Sequence, residues 1–484
     1  MTPTDPAPSC DQLCTGQTGR VLPRLNASVL IGAVLAVAFV SVAFVSGTAA
    51  TMAQSTGPVT VATVAVPTAA AVTTATIGSA AVISVPSVSP TDYVDQALGV
   101  IERNSYFADK VDMVAERRRA MDRAAAVASV ADTYPIIEDV LKATGDKHAL
   151  FRPPAIQVQI TQGKSQGFGF VAVWPSRIVV SLTAGGPADK GGLKLGDRID
   201  RVDGGPIPHT TQEISFKKDA SGNLPLEVAL TVRRGPRAIR ATLKLGDVTT
   251  INTPSAQAAP TPRGSRLAGQ VGYLDVPGIV GDASAQRTFA QQTQSLLSDL
   301  DPAARCGWVV DLRRNKGGYI AAMLAGVAPL VGSGELSSRV LADGSKVSFT
   351  FQNGELRQGS SLELGVTPPL RLPRPGRPVA VLTSTLTASA AEATALVFLG
   401  RPNSRVFGEA TYGLTSYTIL SVLHDGASLT VTNALDVDAA GRTHDGPIVP
   451  DETVPVDWSQ VATGNDPVLR AALRWLDRQP ACTR

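Results

Sequence analysis

Charge is what this sequence most conspicuously lacks. Between Arg24 and Asp92 there is no Asp, Glu, Lys or Arg, a gap of 67 residues. Over the 484-residue chain charged side chains reach only 18%, against about 25% in an ordinary globular domain. Outside the gap the figure rises to about 20%, nearer that norm. Cysteine is scarce too, at four residues, which excludes a disulfide-dense scaffold. Net charge is only +3, too balanced for a nucleic-acid-binding surface. No His/Cys/Asp/Glu cluster with metal-ligand spacing and no nucleotide-binding glycine loop occurs, so no cofactor is implied. Cys10 and Cys14 form a C-x3-C pair, alone a weak metal signal and better read as solvated thiols.

The charge-free gap has two parts. Ala27–Gly47 is apolar and long enough to span about 30 Å of hydrocarbon as a helix. Residues 49–91 are rich in Ala, Val, Thr, Ser and Pro without amphipathic period, an extended linker. Arg20 and Arg24 precede the span and no positive charge follows it for dozens of residues, which places residues 1–25 in the cytosol and the bulk of the chain outside. The expectation is one transmembrane helix at 26–48. A signal peptide cut after Ala53 is the rival, although the apolar run exceeds the usual 7–15 residues of a signal core. A buried core helix is the bland alternative, but the neighbouring tract offers it nothing to pack on.

Residues 92–158 read as a helical region. Tyr93, Ala97, Leu98 and Ile101 repeat at helical spacing, a charged helix follows over Val114–Val130, and a third covers Tyr134–Ala143 before Gly145 stops it. Asp146-Lys147-His148-Ala149-Leu150-Phe151 then leads to Pro153-Pro154. Residues 159–250 form a β-rich module. It opens on Gly167-Phe168-Gly169-Phe170 and carries G-P-A-x-x-x-G-L-x-x-G-D-x-I from Gly186, then a V-D-G turn at Val202-Asp203-Gly204. In that order these motifs closely resemble a PDZ domain. The resemblance implies capture of a peptide as an added strand, with backbone N–H groups of Phe168, Gly169 and Phe170 holding a terminal carboxylate. His209, near the start of an expected helix in this module, is read as a solvated loop residue that could touch the peptide.

From 265 to 460 strands and helices alternate, the pattern of an α/β core. Strand Gly307–Leu312 runs through Arg313-Arg314-Asn315-Lys316-Gly317-Gly318 into the apolar helix Tyr319–Leu330. Strand Pro378–Thr383 runs through a turn holding Ser389 into the helix Ala393–Leu399. A serine at a helix N-terminus sits where free N–H groups favour developing negative charge. A glycine pair after a strand can present N–H groups to the same oxyanion. Ser389-x-x-Glu392 also fits a plain capping box, so these residues alone leave both readings open.

The segments DLRRNKGG, TSTLTASAAEA, VFGEATYG and THDGPIVPD, in this order after a PDZ-like module, resemble the C-terminal-processing (tail-specific) serine peptidases. The resemblance spans about Asp92 to Asp457. It is nearest the branch holding the tricorn core protease and the lantibiotic-degrading nisin-resistance peptidase. It implies a crotonase/ClpP-like core with an inserted PDZ domain, Ser389 as nucleophile, and an oxyanion hole from the backbone of Gly317 or Gly318 with Ala390. Better-known members carry a lysine base where this chain has Leu414, which cannot accept a proton. The branch instead implies His148 as base, a role suited to a pKa near 6.5. Among the other histidines, His444 is the second candidate, while His424 adjoins an expected hairpin turn. Glu392 and Glu409 are candidates to orient the base, with capping and surface roles as their alternatives. The expected activity is a membrane-anchored extracytoplasmic endopeptidase acting on peptides or unfolded, tail-exposed proteins. An inactive tethered PDZ scaffold is the competing reading. Cys306 and Cys482 would share an oxidising compartment, with pairing left open.

Overall fold

The computed structural model describes residues 88–161, 164–210, 213–216, 224–249, 261–374, 376–461 and 464–482. The expected tail, the span at 26–48, and Cys10 and Cys14 lie outside these residues, as does nearly all of the linker. Among the described residues no helix is long and apolar enough to cross a membrane.

The helical region comprises α1 (Pro90–Asn104), α2 (Met113–Ala124) and α3 (Tyr134–Ala143), followed by β1 (Leu150–Arg152) and α4 (Pro154–Thr161). Ser89 and Asp112 cap α1 and α2 through their side chains. The second helix stops at Ala124, short of the expected Val130, and a 3-10 turn at Ala131–Thr133 leads into α3. Tyr93, Leu98, Ile101, Ile137 and Leu141 bury one face each against Phe151, Leu429 and Val431. The hydroxyls of Tyr93 and Tyr134 donate to the two oxygens of Asp425, at 2.8 and 2.7 Å. The region is thereby fastened to a distant hairpin.

The β-rich module contains β2 (Lys164–Gly167), β3 (Phe170–Val173), β4 (Ile178–Leu182), α5 (Pro187–Lys190), β5 (Arg198–Val202), β6 (Glu227–Arg234), β7 (Arg237–Lys244) and β8 (Gly246–Thr249). Strands β3 to β7 form one five-stranded sheet in chain order, and β2 pairs with β8. Its core is Phe168, Val179, Leu193, Ile199, Leu230 and Val232. Where a helix was expected beginning near His209, the described residues instead hold an isolated antiparallel bridge between His209 and Ile214. The imidazole stacks on Trp174 at 3.6 Å while His209 stays exposed, in keeping with a solvent-facing loop residue.

The remaining chain builds β9 (Arg263–Leu267), β10 (Val271–Asp275), α6 (Ala283–Leu300), β11 (Gly307–Asp311), α7 (Ile320–Val331), β12 (Gly334–Leu341), β13 (Lys346–Gln352), β14 (Glu355–Gln358), β15 (Ser361–Gly365), β16 (Val379–Thr383), α8 (Ala390–Leu396), β17 (Ser404–Gly408), β18 (Ser416–Val422), β19 (Ser428–Val437), β20 (Glu452–Thr453) and α9 (Pro467–Asp477). One sheet has the order β20-β17-β16-β11-β10-β9, parallel except for β9. Strands β11 and β16 are buried along their whole length, as parallel strands covered on both faces must be. Trp308, Val310 and Val381 pack under α6, α7 and α8, while Val309, Ala380 and Phe407 meet α9 and Val173 and Val180 of the β-rich module. The second sheet joins β1, β19 and β12 to β15, with β18 on the other edge of β19. A disulfide joins Cys306 to Cys482 across 176 residues.

Candidate active site

Two strand–turn–helix corners lie side by side at the carboxyl ends of β11 and β16. Hydroxyls stitch them together: Ser384 donates to the carbonyl of Arg313 at 2.6 Å and Thr387 to that of Leu312 at 3.0 Å. Helix α8 begins at Ala390, three residues before the expected start, so Ser389 is its N-cap. Ser389 has φ +55° and ψ −122°, backbone angles that a side-chain-bearing residue adopts only when its surroundings impose them. Glu392, fully buried, supplies one such constraint by accepting the Ser389 N–H at 2.8 Å. Its carboxylate also accepts from the Thr411 hydroxyl and from the N–H groups of Gly413 and Leu414, at 2.8 and 2.7 Å for the latter two. Burial pushes its pKa up to about 7, against four hydrogen bonds that favour the anion. Glu392 therefore braces the serine turn and the loop that ends at Leu414.

The glycine pair faces this serine. Gly317 (φ +98°) lies so close that a Cβ there would stand 2.9 Å from the Cβ of Ser389, and one on Gly318 (φ +126°) would stand 2.0 Å from the carbonyl oxygen of Ile279. Only glycine fits either place. Asn315 Oδ1 accepts the Gly317 N–H at 2.8 Å, so that donor is already committed. The N–H groups of Gly318 and Ala390 have no acceptor among the described residues, and both residues line the cleft that holds Ser389, with Tyr319, Arg339 and Ser416. The cleft has a volume of about 450 Å³. Beneath the loop, Arg313 is buried between Asp311 and Asp466, at 2.6 and 2.7 Å, and so ties it to the start of α9.

His148 reaches the site from the helical region. Chain 150–152 pairs with 428–430 of β19, which sets the preceding turn against β18 and β19. Asp146 Oδ1 accepts the backbone N–H groups of His148 and Ala149 at 2.9 and 3.2 Å. The ring nitrogen Nδ1 lies 2.9 Å from Ser416 Oγ. Burial lowers the imidazole pKa, while the charges of Asp146 and Asp436 raise it. His148 and Ser389 share no hydrogen bond; Ser416 lines both the Ser389 cleft and a small adjoining cavity bounded by His148 and Asp445.

Other expected residues fall elsewhere. Neither Glu392 nor Glu409 bonds His148, and Glu409 instead accepts the N–H of Val456 at 3.0 Å. His444 pairs with Asp438 at 3.0 Å, and His424 sits at the β18–β19 hairpin with its N–H on Gln96. In the β-rich module Phe168 is a buried core residue, and its carbonyl and that of Gly169 accept from Ala188 and Thr183. Phe170 starts β3, whose outer edge is met at Val173 by Glu213. Sequence reasoning missed Ser416, Thr432 and the ion pair between Lys316, in the glycine loop, and Glu213, at 2.6 Å. It named Asp146 without a role, although an Asp that accepts the backbone N–H two residues on is a common turn device.

Comparison with known proteins agrees with this architecture. Residues 270–454 match peptidase family S41 and residues 178–234 match the PDZ domain. The nisin-resistance protein of Lactococcus lactis subsp. lactis is 32% identical over 189 residues, 39% of this chain and 57% of that protein, so the match spans less than two thirds of its length. The chloroplastic C-terminal processing peptidase of Tetradesmus obliquus is 24% identical across 70% of this chain and 72% of its own. A solved lipoprotein from Streptococcus agalactiae shares the fold at 18% identity, with a TM-score of 0.50 over 82% of this chain and 98% of that one. Both corners thus fall within the region that matches peptidase family S41, and the β-rich module contains the PDZ match, so residues 270–454 are an S41 serine-type peptidase core with a PDZ domain ahead of it.

Proposed function

We propose that the chain is a serine endopeptidase that cleaves peptides or unfolded, tail-exposed proteins through an acyl-enzyme on Ser389. The observation that carries this reading is the imposed backbone of Ser389 facing two uncommitted donors, the N–H groups of Gly318 and Ala390, in one cleft. His148 takes the Ser389 proton as the hydroxyl oxygen bonds to the substrate carbonyl carbon. The two donors stabilise the oxyanion. His148 then protonates the leaving amine; the same ring deprotonates a water that attacks the acyl carbon, and it returns that proton to the Ser389 oxygen as the carboxylic acid product leaves. The commitment of the Gly317 N–H to Asn315 favours Gly318 as the loop's donor. A substrate strand enters from the PDZ side, where a second cleft of about 460 Å³ runs from Val171 on β3 to Gly317 and Gly318.

The same reading places the catalytic part outside the cytoplasm on the N-terminal span, for which the Cys306–Cys482 disulfide is support. Incubation of the protein with an unfolded substrate tests the activity: Ser389→Ala and His148→Ala abolish cleavage, and a serine-reactive probe labels Ser389 alone. Cleavage that survives Ser389→Ala overturns the reading. The scaffold alternative draws on Leu414 and on the missing direct Ser389–His148 bond. Peptide binding without probe labelling or cleavage would favour it.

A further inference from the structure

Behind the base lies a chain of hydrogen bonds whose direction is fixed from one end. Asp146 is an acceptor: Oδ2 takes the backbone N–H of Thr432 at 2.8 Å, and Oδ1 takes those of His148 and Ala149. The Thr432 hydroxyl donates to Oδ1 at 2.7 Å and so spends its only hydrogen. Ser416 Oγ lies 3.2 Å from Thr432 Oγ1, a contact that then requires the Ser416 hydroxyl to donate. With that hydrogen spent, the 2.9 Å contact from Ser416 Oγ to His148 Nδ1 requires the hydrogen on Nδ1. The neutral ring is left with its lone pair on Nε2.

We propose that Asp146, Thr432 and Ser416 are positioning residues that hold His148 in the Nδ1–H tautomer and so make Nε2 the base. The inference rests on the proposed peptidase reading and supplies the orienting group that neither Glu392 nor Glu409 provides. No proton moves along the relay. When Nε2 takes the Ser389 proton, Nδ1 keeps its hydrogen on Ser416, so one geometry serves both the deprotonation and the return of the proton to the leaving amine. The opposite tautomer, with hydrogen on Nε2, cannot accept the serine proton.

Thr432 is the residue to change, because it is fully buried and does not line the Ser389 cleft. Thr432→Val keeps shape and strand preference but removes the hydroxyl that polarises Ser416. Its expected effect is a fall in kcat of tenfold or more with KM unchanged. Thr432→Ser, which restores the hydroxyl, keeps most of the parent rate. Nitrogen-15 NMR of histidine-labelled protein, with His148 assigned by His148→Gln, reads the tautomer directly. The parent shows protonated Nδ1 above the ring's pKa, and Thr432→Val shifts the population toward protonated Nε2. The charged groups facing the ring are Asp146 on its own turn, Asp436 of β19 and Asp445 across the small cavity, and none is altered. Thr432→Val that folds, with parent kcat, overturns the proposal, as does a parent spectrum with hydrogen on Nε2. The spectrum decides the relay even in a protein without activity, whereas loss of Ser389-dependent cleavage in the parent would speak against the peptidase reading alone.

Discussion

The proposed nucleophile and the proposed base of this site are built from different materials. Around Ser389 the parts are mostly backbone, braced by Glu392: an imposed φ, two N–H groups without an acceptor among the described residues, and glycines that no other residue can replace. Around His148 they are side chains, a carboxylate and two hydroxyls, gathered over separations of 268 and 286 residues. A backbone-built corner has no conservative substitution at its glycines. A side-chain relay tolerates an exchange that keeps the hydroxyl. The largest effect is therefore expected at Gly318→Ala. The added Cβ meets the Ile279 carbonyl and displaces the donor, so kcat falls about 10²–10³-fold, with a lower Tm. Near-parent kcat for a folded Gly318→Ala protein would erase the contrast.

The nucleophile corner also needs its foundation. Arg313 is buried between two carboxylates, and Asp466 additionally caps α9 by accepting from Val468 and Leu469. Arg313→Met leaves both carboxylates without their counter-charge and is expected to cost about 3–5 kcal/mol in denaturant unfolding. An Asp311→Asn, Arg313→Met, Asp466→Asn triple variant removes the stranded charges and recovers part of that loss. If the single variant unfolds like the parent, the loop does not depend on this ion pair.

The same contrast explains what the sequence made legible. The Ser389 corner, the glycine pair and the strand–turn–helix order are local, each contained in a short run whose period and turn residues can be read directly. The helix after Ser389 was expected three residues late, because its first turn, Ala390-Ala391-Glu392, reads equally well as loop until the Glu392 carboxylate is seen closing back on the Ser389 N–H. Ser416 and Thr432 carry no local signal: hydroxyl residues are common in strands, and only the pairing of β18 with β19 and of β1 with β19 brings them to His148. At His209 itself the stack on Trp174 and the bridge to Ile214 are long-range pairings with no local signal, and the rest of the expected helix, over 211–212 and 217–223, lies outside the described residues.

On the base side a pH experiment sharpens the comparison. Burial lowers the His148 pKa, so the ring stays neutral at pH values where an exposed imidazole is protonated. The acid limb of kcat/KM is expected below pH 6.5. Stability follows the same sign: the unfolded chain takes up the proton first, so the contribution present above about 6.5 is lost as pH falls from there through the lower pKa of the folded ring. Asp436 pulls the pKa upward, so Asp436→Asn moves the limb further toward acid. A limb at or above 6.5 would mean that the ring is not held as drawn.

The smallest effect is expected where the PDZ domain touches the nucleophile corner. Lys316 Nζ lies 2.6 Å from Glu213, which bridges to the outer edge of β3 where an added strand would lie. The lysine is substantially exposed, so the pair itself is worth at most about 1 kcal/mol and weakens with salt. The glycine loop has stronger anchors in the Asn315 bond to Gly317 and in Tyr319 N–H on Ile279 at 2.7 Å. Glu213→Gln should therefore leave kcat on a short peptide within about twofold and stability within about 1 kcal/mol. A tenfold loss of kcat, abolished in high salt, would show that the backbone-built corner borrows its geometry from the neighbouring domain after all, and that the oxyanion loop senses whatever occupies the edge of β3.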